Sequence, residues 1–186
     1  MIFAEVRYEE HNVAVLKGQA SLNATYIAGI FNIIGEKFFN EYNDGYIVSV
    51  KIPPSLQMQN TSLQKSFLYT DSVSDLEMNN GLYAFFYSNN AMANENYHNF
   101  TLLKEVYYYE TGNSDIFPIK TETINNVNVS FYKIIAYIQT ANLSRVNMTS
   151  YGSAFSYGNI LFIYYGINQS ICYNSTAYAI RSLTDI

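Results

Sequence analysis

The sequence predicts an all-β fold, a β-sandwich built as one domain, and three observations carry the prediction. Tyr and Phe are abundant, at 19 and 12 residues with no Trp, and aromatic and β-branched residues favour pleated, half-buried surfaces. Turn signals recur at short intervals. Between them lie apolar runs of strand length, several alternating with polar residues as a half-buried strand requires. At 186 residues the chain can bury a core without disulfides, and no repeat, low-complexity tract or linker divides it.

The first ten residues alternate. Ile2, Ala4, Val6 and Tyr8 form one apolar face, and Met1, Phe3, Glu5, Arg7 and Glu9 form the other. Glu9-Glu10-His11-Asn12 breaks the pattern. Residues 1–12 therefore read as a terminal strand with a short linker, and residues 13–186 as a single sandwich domain. Two readings of that strand stand side by side. It is an ordinary first strand of the domain's own sheet, or an exchangeable strand that adds to a neighbour's open sheet edge. Repeated head to tail, the second contact never closes and grows a filament.

Further strands are expected at Val13–Leu16, Asn23–Ile34, Gly45–Ile52, Gln64–Thr70, Leu82–Ser88, Phe100–Glu110, Val127–Thr140, Asn159–Ile167 and Ala177–Leu183. Asn43-Asp44-Gly45 and Asn79-Asn80-Gly81 are the strongest turn signals, since these residues tolerate positive φ. Thr111–Asp115 and Asn142–Asn147 read as longer loops, and Pro53-Pro54 ends a strand because Pro cannot donate to a ladder. Val127–Thr140 is nearly continuous in apolar residues, so a central strand buried on both faces in its second half is expected there. Within 26–42, Ile27, Phe31, Ile34 and Phe38 fall at helical spacing, but Gly29 and Gly35 weaken a helix. Two strands with a bend near Gly35 are the expectation. Ile171-Cys172-Tyr173 reads as buried strand.

Charge is scarce, at 13% of residues against roughly 25% in an average domain. Polarity comes instead from 22 Asn, 17 Ser and 11 Thr, whose hydrogen bonding does not depend on protonation. A surface of this kind suits acid surroundings. An AT-rich genome would also raise Asn, Tyr and Ile, but it would raise Lys with them, and Lys is not raised. Lys and Arg are scattered singly, which argues against nucleic acid as a partner. No apolar run approaches the ~20 residues of a membrane helix. The N-terminus carries no basic region followed by an apolar stretch, so an exported chain would be a processed or a trimmed one. Cys172 is the only cysteine, which rules out an intrachain disulfide.

Eight Asn-x-Ser/Thr acceptors begin at Asn23, Asn60, Asn99, Asn128, Asn142, Asn147, Asn168 and Asn174. Chance in this composition gives about three. Turn chemistry accounts for acceptors at strand ends but not for Asn128, which sits inside the alternation Val127-Asn128-Val129-Ser130-Phe131 with Asn and Ser on the outward face. N-linked glycans are therefore expected, and with them an extracellular location.

Catalytic chemistry is thin. His11 and His98 have no metal-ligand neighbour at useful spacing, and one Cys with two separated His cannot complete a zinc site without carboxylates. Gly152-Ser153-Ala154-Phe155-Ser156 lacks the second Gly of a nucleophile elbow, and no Gly-rich phosphate loop is present. Glu9-Glu10 and Asp71/Asp75/Glu77 read as solvated turn carboxylates, and the latter three match no recognised calcium loop. Tyr107-Tyr108-Tyr109 and Tyr164-Tyr165 could stack sugars or bases, but strand aromatics of this kind more often pack across a sheet. No catalytic residue, metal or cofactor other than the glycans is assigned.

In its Tyr/Asn/Ser-rich, cysteine-poor composition, its density of acceptors and its Ile2-Ala4-Val6-Tyr8 alternation, the whole chain resembles the subunit of archaeal threads, extracellular filaments of thermoacidophilic archaea. The resemblance implies an immunoglobulin-like or pilin-like β-sandwich with an N-terminal exchangeable donor strand, heavy glycosylation, and identical subunits linked head to tail by donor-strand complementation, with a role in adhesion or biofilm. The donor role falls on Ile2, Ala4, Val6 and Tyr8. The long apolar N-terminal helix of type IV pilins is missing. A non-enzymatic filament subunit is the leading expectation; a virion or surface-layer glycoprotein and a secreted carbohydrate-binding domain are the alternatives.

Overall fold

The computed structural model describes residues 24–39, 46–49, 63–70, 80–99, 103–104, 114–139 and 145–185. Its strands are β1 (Tyr46–Ser49), β2 (Leu63–Thr70), β3 (Asn80–Tyr87), β4 (Ser114–Ile124), β5 (Val127–Gln139), β6 (Arg145–Tyr157) and β7 (Ile160–Gly166). All pair antiparallel in one sheet of order β1-β2-β3-β7-β6-β5-β4. The helices are α1 (Ala24–Ile34), α2 (Asn90–Tyr97) and α3 (Gln169–Thr184), with a π turn over Gly35–Phe39 continuing α1.

The fold is mostly β, as the aromatic content and turn spacing indicate. Among the described residues, however, helices and not a second sheet cover the two faces. Alternation along the inner strands divides the core accordingly. Leu82, Ala84 and Phe86 of β3 and Ile160, Phe162 and Tyr164 of β7 pack with α1 and α3. Tyr83, Phe85 and Tyr87 with Leu161, Ile163 and Tyr165 face the other way, against Ala93 and Tyr97 of α2 and against Leu103. Every residue of β3 and β7 is buried. Two sheet faces covered by helices explain continuous apolar strands without a hydrophobic-polar alternation.

Several segments expected as strands are helical. In α1 the buried residues are Ile27, Ile30, Phe31 and Ile34, an i, i+3, i+4, i+7 stripe that lies on the sheet. Gly29 is on the exposed side, and a Cβ there would meet nothing. It costs helix propensity, about 1 kcal/mol against Ala, and the buried stripe overrides it. In α3 the stripe is Cys172, Ser175, Thr176, Ala179, Ile180 and Leu183, so Ala177–Leu183 and Ile171-Cys172-Tyr173 are helix, not strand. Small and hydroxyl side chains on that face hide its period from a hydrophobicity reading. Leu103 and Lys104 are likewise helical where Phe100–Glu110 was expected as strand.

β4 and β6 were not expected at all. β4 is an edge strand, which is where Pro118 is tolerated, and it joins β5 through Asn125 and Asn126, both at positive φ (45° and 64°), the pattern of a tight hairpin turn. β6 is rich in Ser, Thr and Gly. Its Gly152 and Ser153 are buried where α3 crosses, and the Ser153 and Thr176 hydroxyls meet at 2.7 Å. The expected strand at Val127–Thr140 is β5. It lies inside the sheet, but β7 is the middle strand. In its second half Ile134 and Ala136 are fully buried, whereas Lys133, Ile135 and Tyr137 on the opposite face are half-buried.

Val13–Leu16, Pro53-Pro54, the turn at 43–45 and the first twelve residues lie outside the described residues.

Candidate functional site

The tertiary structure sorts the asparagines by environment. Asn80, Asn96 and Asn159 are buried, and each is held: Tyr164 donates its hydroxyl to Asn80 Oδ1, Asn96 Nδ2 donates to Met92 O at 2.8 Å, and Asn159 Nδ2 donates to Tyr87 O at 2.9 Å. None of the three begins an acceptor triplet. Asn128, Asn147, Asn168 and Asn174 are exposed, and Asn99 is half-buried; all five begin one. Asn23, Asn60 and Asn142 lie outside the described residues.

Two of the exposed acceptors also have structural work, and it falls on the oxygen. Asn168 caps α3, with Oδ1 accepting from Ser170 N at 2.9 Å and Ile171 N at 3.1 Å. Asn128 Oδ1 accepts from Thr123 Oγ1 at 2.9 Å across the β4–β5 pair. A glycosidic bond forms at Nδ2, so neither interaction conflicts with a sugar. Ser130, expected to share the outward face with Asn128, is half-buried and meets the Tyr97 hydroxyl at 2.8 Å: α2 covers that end of the face.

A second feature was not legible in the sequence. A bulge between Pro118 and Lys120 shifts the register of β4, so that Lys120 pairs with Phe131. The bulge re-aims the Lys120 side chain onto the face under α3. Its ammonium stands 5.2 Å from the Phe131 ring centre and 4.5 Å from that of Tyr173, and it donates to Glu122 Oε2 at 2.7 Å. The two rings stack at 5.5 Å. Beside them a cleft of about 260 Å³ runs between the sheet and the start of α3, lined by Phe131, Tyr132, Tyr151, Tyr173, Lys120 and Asn174 among others. Three aromatic side chains, Phe131, Tyr151 and Tyr173, and a cation in one concavity form a surface for an apolar ring with polar edges. No sequence signal could have found it, because both the bulge and the helical state of residue 173 were needed.

The remaining candidates stay apart. His98 is exposed, with its ring against Tyr97 at 4.7 Å. Cys172 is buried, and burial pushes its thiol pKa up, with hydrogen bonds from Ser153 and Thr176 acting in the opposite sense. Tyr164 and Tyr165 are core residues on opposite sheet faces, the latter within 3.1 Å of Ser150 Oγ, so they are not a stacking platform. Tyr107 to Tyr109, Asp71, Asp75, Glu77, Glu9, Glu10 and His11 lie outside the described residues, as do the donor-strand residues Ile2, Ala4, Val6 and Tyr8. Among the described residues no group of three or more His, Cys, Asp or Glu could hold a metal ion, and no helix is long and apolar enough to cross a membrane. Compared with models of protein families, with curated proteins and with solved structures, the chain matches none.

Proposed function

We propose that the protein is a glycosylated structural subunit of an extracellular filament, joined to identical subunits head to tail by strand donation. The observation that carries the assembly is the outer edge of β4. Among the described residues it has no strand partner, it is eleven residues long, and it exposes Phe117 (46%) and Ile119 (42%). Exposed edges of that length are templates for another chain. The Pro118 bulge divides the edge, leaving Ser114–Phe117 and Lys120–Ile124 as the stretches an added strand could pair with. The alternating face Ile2, Ala4, Val6 and Tyr8 supplies such a strand. The sorting of acceptor asparagines to accessible positions supports the surface location.

The test is electron microscopy of the native protein beside a variant lacking residues 1–10. Filaments in the first and monomers in the second are expected. Filaments in both would overturn strand donation from this end. A second reading, a secreted carbohydrate-binding domain, is favoured by the aromatic cleft alone; binding on a glycan array without any polymer would support it instead.

A further inference from the structure

We infer that the cleft beneath Lys120 is the seat of the chain's own glycan at Asn174, so that this one sugar chain is folded back onto the protein while the others extend into solvent. The inference rests on the glycoprotein reading above, and it concerns what one of the glycans does.

Three observations lead to it. First, Asn174 is itself part of the cleft wall and is exposed, so a sugar on its Nδ2 begins at the rim. Attachment also removes most of the translational cost that a free ligand would meet, because the local concentration of a tethered ring is high.

Second, the cleft is small. About 260 Å³ falls below the roughly 300 Å³ at which small-molecule sites usually begin. It has room for one sugar ring and not for an extended ligand, which fits the first residue of a tethered chain better than an oligosaccharide from elsewhere.

Third, its chemistry is that of a pyranose with an apolar C–H face and a hydroxyl rim. Tyr173 lies off the buried stripe of α3 and is 38% exposed, yet its ring is held in place by the stack on Phe131 and by Lys120. The platform is therefore ordered before any sugar arrives, which lowers the cost of binding one. Lys120 spends one ammonium proton on Glu122 and keeps others to donate; Gln169 and Ser170 at the cleft wall add further polar groups for the hydroxyls. The other described acceptors, Asn99, Asn128, Asn147 and Asn168, are not on the cleft wall.

The arrangement also sets an order of events. Thr176, the hydroxyl residue of the Asn174 triplet, is buried with its hydroxyl 2.7 Å from Ser153. A transferase that reads that hydroxyl must act before α3 docks on the sheet.

The experiment uses the natively glycosylated protein. An endoglycosidase is applied under native conditions, and release at each acceptor is followed by glycopeptide mass spectrometry. Release at Asn174 is expected to be at least about fivefold slower than at Asn128, about 1 kcal/mol of protection at 1.4 kcal/mol per factor of ten. The difference should vanish after denaturation, and also in Tyr173→Ala, with the variant's melting temperature measured beside the parent's to show that it is folded. Equal native release at the two sites, or protection that survives Tyr173→Ala, would overturn the seating while leaving the glycoprotein reading standing. An unmodified Asn174 beside modified acceptors elsewhere would overturn the seating as well. An intact mass equal to the bare polypeptide would overturn both.

Discussion

The hydroxyls of Ser153 and Thr176 meet 2.7 Å apart, fully buried, where β6 passes under α3. A hydroxyl pair on small side chains lets helix and sheet approach closely and still satisfies both polar groups. Removing one partner takes a buried hydrogen bond away from the other. Ser153→Ala and Thr176→Val should each cost about 1–3 kcal/mol of stability by urea unfolding, and the double variant should cost less than the sum of the two. Additive losses would mean that the pair contributes no net interaction.

Asn168 has two roles that a pair of variants separates. Asn168→Ala removes the cap of α3 and should cost about 1 kcal/mol. Asn168→Asp keeps an acceptor oxygen at the cap and should hold the melting temperature near that of the parent, while the acceptor triplet is destroyed. Both variants should lose the same glycan mass at residue 168. Equal destabilisation by the two would show that the cap bond seen from Oδ1 is not what stabilises the helix start.

Alkaline pH should destabilise the fold in two stages. Burial raises the Cys172 thiol above its ordinary 9.0 and the Tyr87 and Tyr132 phenols above their ordinary 10.0. The unfolded chain releases these protons at the ordinary values and the folded chain retains them. Stability is therefore intact below the first value and falls above it, by up to about 1.4 kcal/mol per pH unit for each group. Cys172→Ala should remove the stage that starts with the thiol and leave the tyrosine stage. Urea unfolding across the alkaline range measures both. A flat profile would contradict the burial of these groups.

Phe117 and Ile119 are exposed on the edge strand, so charging them should leave the monomer's stability within about 0.5 kcal/mol. Phe117→Lys with Ile119→Lys is expected to abolish filaments, because charged side chains on an edge strand, Lys above all, discourage an added strand. Persistent filaments in a stable double variant would move the acceptor edge away from β4.

Much of the sheet was legible in the sequence. β2, β3, β5 and β7 stand out because each carries a run of apolar or aromatic residues long enough to be read without knowing its neighbours. α3 and β6 were not, and for one shared reason. The buried face of α3 is built from Cys172, Ser175, Thr176 and Ala179 as well as Ile180 and Leu183, and the buried positions of β6 include Ser150, Gly152 and Ser153. Small residues carry little hydrophobic signal, and their burial is a consequence of two layers approaching closely. In α1 the helical stripe was visible in Ile27, Phe31 and Ile34, and local propensity at Gly29 and Gly35 weighed against it; contact with the sheet reversed that balance.

The acceptor triplets themselves belong to the sequence alone, since a count and a spacing require no fold. Which asparagines reach solvent does not: Asn80, Asn96 and Asn159 are as polar as Asn128 and Asn174, and only the packing of sheet and helices buries the first three and exposes the others. The cleft depends on structure still further. Lys120, Phe131 and Tyr173 come from three different elements, and a single-residue bulge decides on which face of the edge strand the lysine stands. A one-residue shift turns a side chain through the sheet, and nothing in the local sequence announces where that shift occurs.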